Sequence, residues 1–165
     1  MNIKNILIAS LILSMPLQAE NDLEISIIKP KSIVFGQKLN EVKVALQPLC
    51  SKQSSKEIKP AQIPGTKTRQ VQIDCHGYRF AGKDRLAEFV FKDDELFLVW
   101  VMVDKNDLIA IEKKMMSEYS SVNYKNDLFS AFTSHHTALR KDVPEVLFYA
   151  NQAAEQFETW FQSAN

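Results

Sequence analysis

Apolar and polar residues alternate most clearly between residues 69 and 104, and this pattern predicts three consecutive strands. The first strand carries apolar side chains at Val71, Ile73 and Cys75, which a pleated backbone sends to one face. Its polar side chains are predicted to face water: Gln70, Gln72 and Asp74. Residues 86–92 form the second strand. The third strand, residues 96–103, is apolar at all eight positions, so another element must cover its second face.

Helical spacing of apolar residues predicts three helices around these strands. The first begins near Asn40 and ends near Gln47, and the second spans residues 104–119. The third follows Asn151 with an apolar stripe at Ala153, Ala154, Phe157, Trp160 and Phe161. Two further strands are predicted at 128–140, with an interruption, and at 145–150. The order helix, three strands, helix, two strands, helix predicts an α+β domain on a mostly antiparallel sheet of four to six strands, with helices packed on it.

A polar segment, residues 51–68, separates the first helix from the first strand. It contains two prolines and a glycine and has no sustained period, so it is predicted to be a long loop. Its four lysines are either solvated or a docking site for an acidic surface: Lys52, Lys56, Lys59 and Lys67.

The first nineteen residues have the features of a secretory signal peptide. Lys4 precedes an apolar run at 6–13, and Pro16 and the small Ala19 follow. The run is too short to span a bilayer, and no cysteine near Ala19 is available for a lipid. We therefore expect a periplasmic protein without a membrane anchor, with residues 20–165 forming a single domain.

Net charge argues against one class of partner. The full chain has 20 basic and 20 acidic residues, and removal of the signal peptide removes only Lys4. A mature chain with one excess negative charge lacks the surplus of Lys and Arg that nucleic-acid binding requires. No nucleic acid is expected as a partner.

The chain has two cysteines, Cys50 and Cys75. In an exported protein, an even number of cysteines predicts a disulfide, which here would join the end of the first helix to the first strand. The alternatives are a reactive Cys75 thiolate beside His76 and a metal site.

Candidate catalytic chemistry is sparse. The chain contains no Gly-x-Ser-x-Gly, His-Glu-x-x-His, phosphate-binding glycine loop or Cys-x-x-Cys motif. Asp74 and His76 share one strand face and form the best acid and base pair, so a small periplasmic hydrolase is the alternative function. His135 and His136 are adjacent, so their side chains diverge in a strand and do not readily share a metal ion. No metal and no cofactor are predicted.

Three segments together resemble a known family. These are residues 36–42 (GQKLNEV) with a short helix, residues 89–96 (FVFKDDEL), and a helix that ends at Tyr119. They are similar to the repeat unit of beta-lactamase-inhibitor-protein-like domains, which also occurs in small lipoproteins of outer-membrane assembly. The resemblance covers roughly residues 33–148, but Ser120 and Ser121 replace the usual Gly and Pro, and the lipid-bearing Cys is absent. It implies a non-enzymatic protein-binding scaffold.

The third strand supplies the candidate binding residues. Its second face is either covered by the C-terminal helix or open to a partner. The predicted binding residues are Trp100, Leu98 and Met102 on this strand, with Tyr78 at the end of the first strand. We therefore expect an exported binding protein whose partner is another periplasmic or envelope protein, acting as an inhibitor-like domain or as an envelope-stress or assembly accessory.

Overall fold

The computed structural model describes residues 26–163, and three α-helices and eight strands lie in this range. The bounds are α1 (Leu39–Ala45), β1 (Lys52–Ile58), β2 (Gln70–Phe80), β3 (Lys83–Lys92), β4 (Glu95–Met102), α2 (Leu108–Tyr119), β5 (Tyr124–Lys125), β6 (Phe129–Phe132), β7 (Thr137–Arg140), β8 (Glu145–Tyr149) and α3 (Ala154–Ser163). Short 3-10 turns precede β7, α2 and α3. The predicted signal peptide lies outside the described residues.

All eight strands join one antiparallel sheet in the order β1-β2-β3-β4-β8-β7-β6-β5. The first four strands form a meander from one edge to the centre. Helix α2 then carries the chain to the opposite edge, and β5 to β8 meander back until β8 pairs with β4. The centre of the sheet is therefore the β4–β8 pair, in which Trp100 lies opposite Leu147.

Helices cover both faces of the sheet. On the first face, α1 and α2 bury apolar residues such as Val42, Ile111 and Met115 against the strands. On the second face, α3 packs Phe157 and Phe161 over β4 to β8. The predicted cover on the second face of β4 is thus α3, although it extends over only half of the sheet.

The predicted α+β class and antiparallel pairing are confirmed, but the predicted four to six strands and their order are wrong. The structure has helix, four strands, helix, four strands, helix. The interrupted strand predicted at 128–140 is a hairpin of β6 and β7, whose turn places His136 at a φ of 49°. Strand β5 has only two residues, too few for any side-chain period to register.

Strand β1 corrects the prediction of a loop across residues 51–68. Lys52–Ile58 pairs with β2 along its whole length, with Ser54 opposite Asp74. Its side chains are mostly exposed, because an edge strand can be held by backbone hydrogen bonds and needs no apolar face. The remaining loop is residues 59–69.

The predicted disulfide is confirmed. Cys50 and Cys75 are bonded, with their Cα atoms 5.2 Å apart. The bond ties the segment that follows α1 to the middle of β2, and this connection places β1 at the sheet edge directly after it. Among the helices described, none is long and apolar enough to cross a membrane.

Candidate functional site

An open groove of about 500 Å³ lies on the second face of the sheet, beside α3. Its floor is formed by side chains of β2, β3 and β4: Gln70, Gln72, Glu88, Val90, Leu98 and Trp100. Its walls come from the 59–69 loop, β7 and α3: Gln62, Ile63, Arg140, Gln156, Phe157 and Trp160. We call this site the Trp100 groove.

Trp100 marks the border between the covered and the open half of the second face. Its ring packs edge to face on Phe157 of α3, with 6.3 Å between the ring centroids. On the other side it lies directly opposite Glu88 of β3. Trp100 is only partly buried, so part of its indole remains available to a ligand although α3 is present.

The 59–69 loop forms the wall opposite α3 and is held by hydrogen bonds to β2 and to the turn between β3 and β4. The Oε1 of Gln70 accepts the backbone N–H groups of Gln62 and Ile63 at 2.8 and 2.9 Å. The carboxylate of Asp93 accepts those of Lys67 and Thr68. These hydrogen bonds lower the pKa of Asp93 to about 2, and the one from the backbone of Thr68 has the largest effect. A low pKa is expected of a carboxylate that accepts several N–H groups.

These contacts correct the prediction that Gln70 and Gln72 face water. The two side chains are only 4% and 7% exposed, because the loop folds over the polar face of β2. Asp74, farther along the strand, is partly buried. It accepts a hydrogen bond from Nε2 of Gln72 at 2.6 Å and pairs with Lys56 at 3.5 Å.

Arg140 is the cation of the groove, and its charge is already matched. Its guanidinium donates to Asp142 at 2.8 Å and to Glu145 at 3.0 Å, and it lies 5.4 Å from the centre of the Trp160 ring. Burial raises the pKa of Glu145, with the hydrogen bond from Arg140 acting in the opposite direction. Arg140 therefore fixes the position of Trp160 and offers little free charge to a ligand.

The carboxylate of Glu88 differs from that of its neighbours. Within residues 26–163 it has no hydrogen bond and no ion pair, and it is partly exposed at the floor of the groove. It lies between Asp74 on β2 and Trp100 on β4. Glu88 is thus the free charge of the site.

Three of the four predicted binding residues lie on the second face. Leu98 and Trp100 line the groove. Met102 lies two residues beyond Trp100 on β4, where it is opposite Glu145 and partly exposed. Tyr78 lies on the first face instead, where it is 2% exposed and packs on Phe89. The structure therefore does not bring Tyr78 to the other three.

A β-bulge at Gly77 explains the position of Tyr78. Strict alternation from Asp74 and His76 would put Tyr78 on the second face. The register shifts between His76 and Tyr78, and Gly77 has a φ of 73°. A Cβ at Gly77 would lie 2.6 Å from the Oγ of Ser51, so the bulge depends on glycine. The extra residue turns Tyr78 inward.

The predicted acid and base pair is not formed among the described residues. Asp74 is engaged by Gln72 and Lys56, and His76 is exposed. His135 packs on the ring of Tyr119 and His136 on that of Tyr149, so the two rings have separate neighbours. Between residues 26 and 163, no group of three His, Cys, Asp or Glu side chains could hold a metal ion.

A second cavity, of about 390 Å³, lies on the first face between α2 and Ile27. Its one carboxylate, Asp107, is bound by Arg85 and by Lys83, and these bonds lower its pKa to about 2. None of the residues predicted from the sequence lines this cavity. The Trp100 groove combines predicted residues with a free charge, so we take it as the candidate site.

Sequence reasoning missed Gln70, Gln72, Glu88 and Arg140 as members of the site. The local pattern placed Gln70 and Gln72 correctly on the polar side of their strand, and the alternation within residues 86–92 likewise puts Glu88 on the polar side of the next strand. It contained no sign of the loop and the helix that convert this side into a groove. A glutamine pair at i and i+2 beside an aspartate was the available signal.

No protein-family model, curated protein or solved structure matches the chain. The resemblance to beta-lactamase-inhibitor-protein-like domains stays a prediction.

Proposed function

We propose that this protein is an exported, non-enzymatic binding protein that recognises another protein of the periplasm or envelope through the Trp100 groove. The observation that carries the proposal is the partly exposed indole of Trp100, at the point where the cover of α3 ends. Aromatic side chains in partly desolvated pockets contribute a large share of the energy in protein interfaces. The disulfide is compatible with export.

The groove has the mixed character of a protein-binding site. Trp100, Trp160 and Phe157 provide apolar contact area, while the glutamines and Glu88 provide polar contacts. Binding sites typically combine apolar surface with a few well-placed polar groups. Nothing in the geometry favours the hydrolase alternative, because Asp74 and His76 have different neighbours.

The test compares two variants of the mature chain as immobilised bait in a periplasmic extract. Trp100→Ala removes the indole from the groove. Ile109→Ala is the matched control, because Ile109 is 83% exposed on α2 at the other face of the sheet. A partner that the wild-type chain retains should also be retained by Ile109→Ala. Its affinity for Trp100→Ala should be roughly thirtyfold lower, which is the loss typical of an interface hot spot.

Circular dichroism of both variants separates a binding role from a core role. We expect unchanged spectra, because Trp100 is only partly buried. Equal affinity of the two variants for the purified partner would contradict the proposal. Unfolding of Trp100→Ala would assign the indole to the core instead.

A further inference from the structure

The free carboxylate of Glu88 lies in an unfavourable position for stability alone. It is directly opposite Asp74 across the β2–β3 ladder, where facing side chains have Cβ atoms about 5 Å apart and like charges destabilise a sheet. Lys56 offsets the charge of Asp74 at 3.5 Å. Glu88 has no such partner in the described part of the chain, and its charge also helps to raise the pKa of Glu145.

The same carboxylate faces an aromatic ring on its other side. Trp100 is directly opposite Glu88 across the β3–β4 ladder, and its indole is partly exposed. A carboxylate beside an aromatic face attracts the side chains of lysine and arginine, through a charge-assisted hydrogen bond and a cation–π contact. The charge that complements this part of the groove is positive.

Two buried amides of the groove each have one free hydrogen-bonding group. Gln70 accepts two backbone N–H groups through Oε1, so its NH2 group is left as a donor. Gln72 donates through Nε2 to a carboxylate, so its Oε1 is left as an acceptor. The partners fix both orientations, since a backbone N–H only donates and a carboxylate only accepts. Neither free group has a partner in the described residues.

The backbone positions of the two glutamines have the repeat of an extended peptide. Gln70 and Gln72 are two residues apart on one strand, so their Cα atoms lie about 6.6 Å apart. An extended peptide presents its backbone groups with the same two-residue repeat. Both residues are at least 93% buried, yet neither free group is among the fully buried unpaired polar atoms of the described residues, so both groups stay accessible to a ligand in the groove.

We propose that the Trp100 groove binds an extended peptide segment of the partner, with a lysine or arginine side chain held by Glu88 and Trp100 and the segment's backbone bound by Gln70 and Gln72. This inference rests on the proposed function and names the chemistry of the partner. The neighbouring apolar surface of Leu98 and Val90 receives the side chain beside the cation.

A phage-displayed library of random heptapeptides, selected on the mature chain, provides the probe. Selected peptides are then synthesised and titrated while tryptophan fluorescence is recorded. The chain has two tryptophans, Trp100 and Trp160, and both line the groove, so a change in fluorescence reports on this site. We expect selected sequences to be enriched in lysine or arginine at one position relative to the unselected library.

Two charge-matched variants test the role of the carboxylate. Glu88→Gln removes the free charge from the groove, and Glu118→Gln removes one exposed charge from α2. A selected peptide should bind Glu88→Gln about tenfold more weakly or worse, the range expected for loss of a charged hydrogen-bonding partner. Its affinity for Glu118→Gln should be unchanged. Replacement of the peptide's lysine or arginine by glutamine should lower its affinity for the wild-type chain by a similar factor. The same replacement should lower its affinity for Glu88→Gln very little.

Two results would overturn this inference. One is a selected set without enrichment of lysine and arginine, and the other is equal affinity of a cationic peptide for Glu88→Gln and Glu118→Gln. Either result, together with loss of the partner by Trp100→Ala, would leave the proposed function standing and reject only the cationic segment. Retention of the partner by Trp100→Ala would reject the proposed function itself.

Discussion

Single residues show most directly how the site differs from the rest of the surface. Some exposed carboxylates elsewhere have partners, such as Asp94 with Arg69 at 2.6 Å and Glu95 with Lys38 at 2.7 Å, while others in the described residues, such as Glu118, have none. Glu88 has none between residues 26 and 163 and faces a second carboxylate. A residue that opposes stability where it lies is a candidate for a role in binding.

The free energy of unfolding gives a test at this scale. We expect Glu88→Gln to raise it by about 0.5 kcal/mol at low ionic strength, because the change removes repulsion from Asp74 directly across the ladder. Glu118→Gln should leave it unchanged. Urea denaturation at pH 7 measures both, and added salt should shrink the difference. A decrease for Glu88→Gln would mean that its carboxylate stabilises the fold.

Tyr78 illustrates what a local pattern cannot show. The residues around it predicted a strand correctly, and the strand is present as β2. Its side chain faces the first face because Gly77 adds one residue to the strand. The bulge is made against Ser51, a residue 26 positions earlier in the chain. Alternation along β2 contains no information about that contact.

At the scale of elements, the open half of the second face results from the length and placement of α3. Its aromatic residues contact rings from Tyr124 on β5 to Trp100 on β4. Among the described residues, its ring contacts do not extend to β3. The 59–69 loop closes the other side, and the space between the two is the Trp100 groove.

The disulfide is the element-scale feature whose removal is easiest to interpret. The bond closes a segment of 25 residues, and in the chain-entropy model such a closure stabilises by about 3 kcal/mol. We expect replacement of both Cys50 and Cys75 by alanine to lower the free energy of unfolding by about that amount. Equilibrium urea denaturation measures the change.

Reduction provides the control for this variant. Dithiothreitol should lower the stability of the wild-type chain by a similar amount and should not affect the double variant. An unchanged urea midpoint for the double variant would contradict the prediction and would mean that the packing of α1 alone holds this edge of the sheet.

The whole molecule responds to pH through its buried phenols. Burial raises the pKa of Tyr119 to about 12 and also raises the pKa values of Tyr78 and Tyr149. An unfolded tyrosine has a pKa of about 10. The stability linked to these phenols is therefore fully present below pH 10 and is lost as the pH rises through 12.

Alkaline titration checks this expectation. Absorbance of the phenolate at 295 nm and circular dichroism should change together above pH 10, because ionisation of the buried phenols requires unfolding. Tyr119→Phe removes one of these groups, so its stability should fall less steeply over the same range. Complete ionisation with an unchanged circular dichroism spectrum would contradict the prediction.

The predicted export is also tested at the scale of the whole chain. We expect the protein isolated from the periplasm of a Gram-negative host to begin at Glu20, which N-terminal mass spectrometry can verify. Leu11→Arg places a charge in the apolar run of residues 6–13 and should leave the uncleaved chain in the cytoplasm. Periplasmic recovery of a chain that still begins at Met1 would refute the proposed cleavage.

Local patterns were sufficient for the α+β class, the strands β2 to β4 and the disulfide. The periods of strands and helices depend on neighbouring residues. The pairing of the cysteines follows from their even number and from a predicted signal peptide. The need for a cover over the third predicted strand also followed from the eight apolar positions of residues 96–103. These features are encoded within short stretches of the chain.

Tertiary structure alone decided the number of strands and the site. Strand β1 forms because β2 offers an edge, and its exposed side chains have no apolar period to reveal it. The groove exists because α3 covers half of a face and a distant loop borders the other half. Glu88 becomes a free charge only through the partners that its neighbours find across the sheet. Strand pairing, the cover by α3 and the ion pairs across the sheet join residues that are far apart in the sequence. The local periodicity of apolar residues therefore cannot predict them.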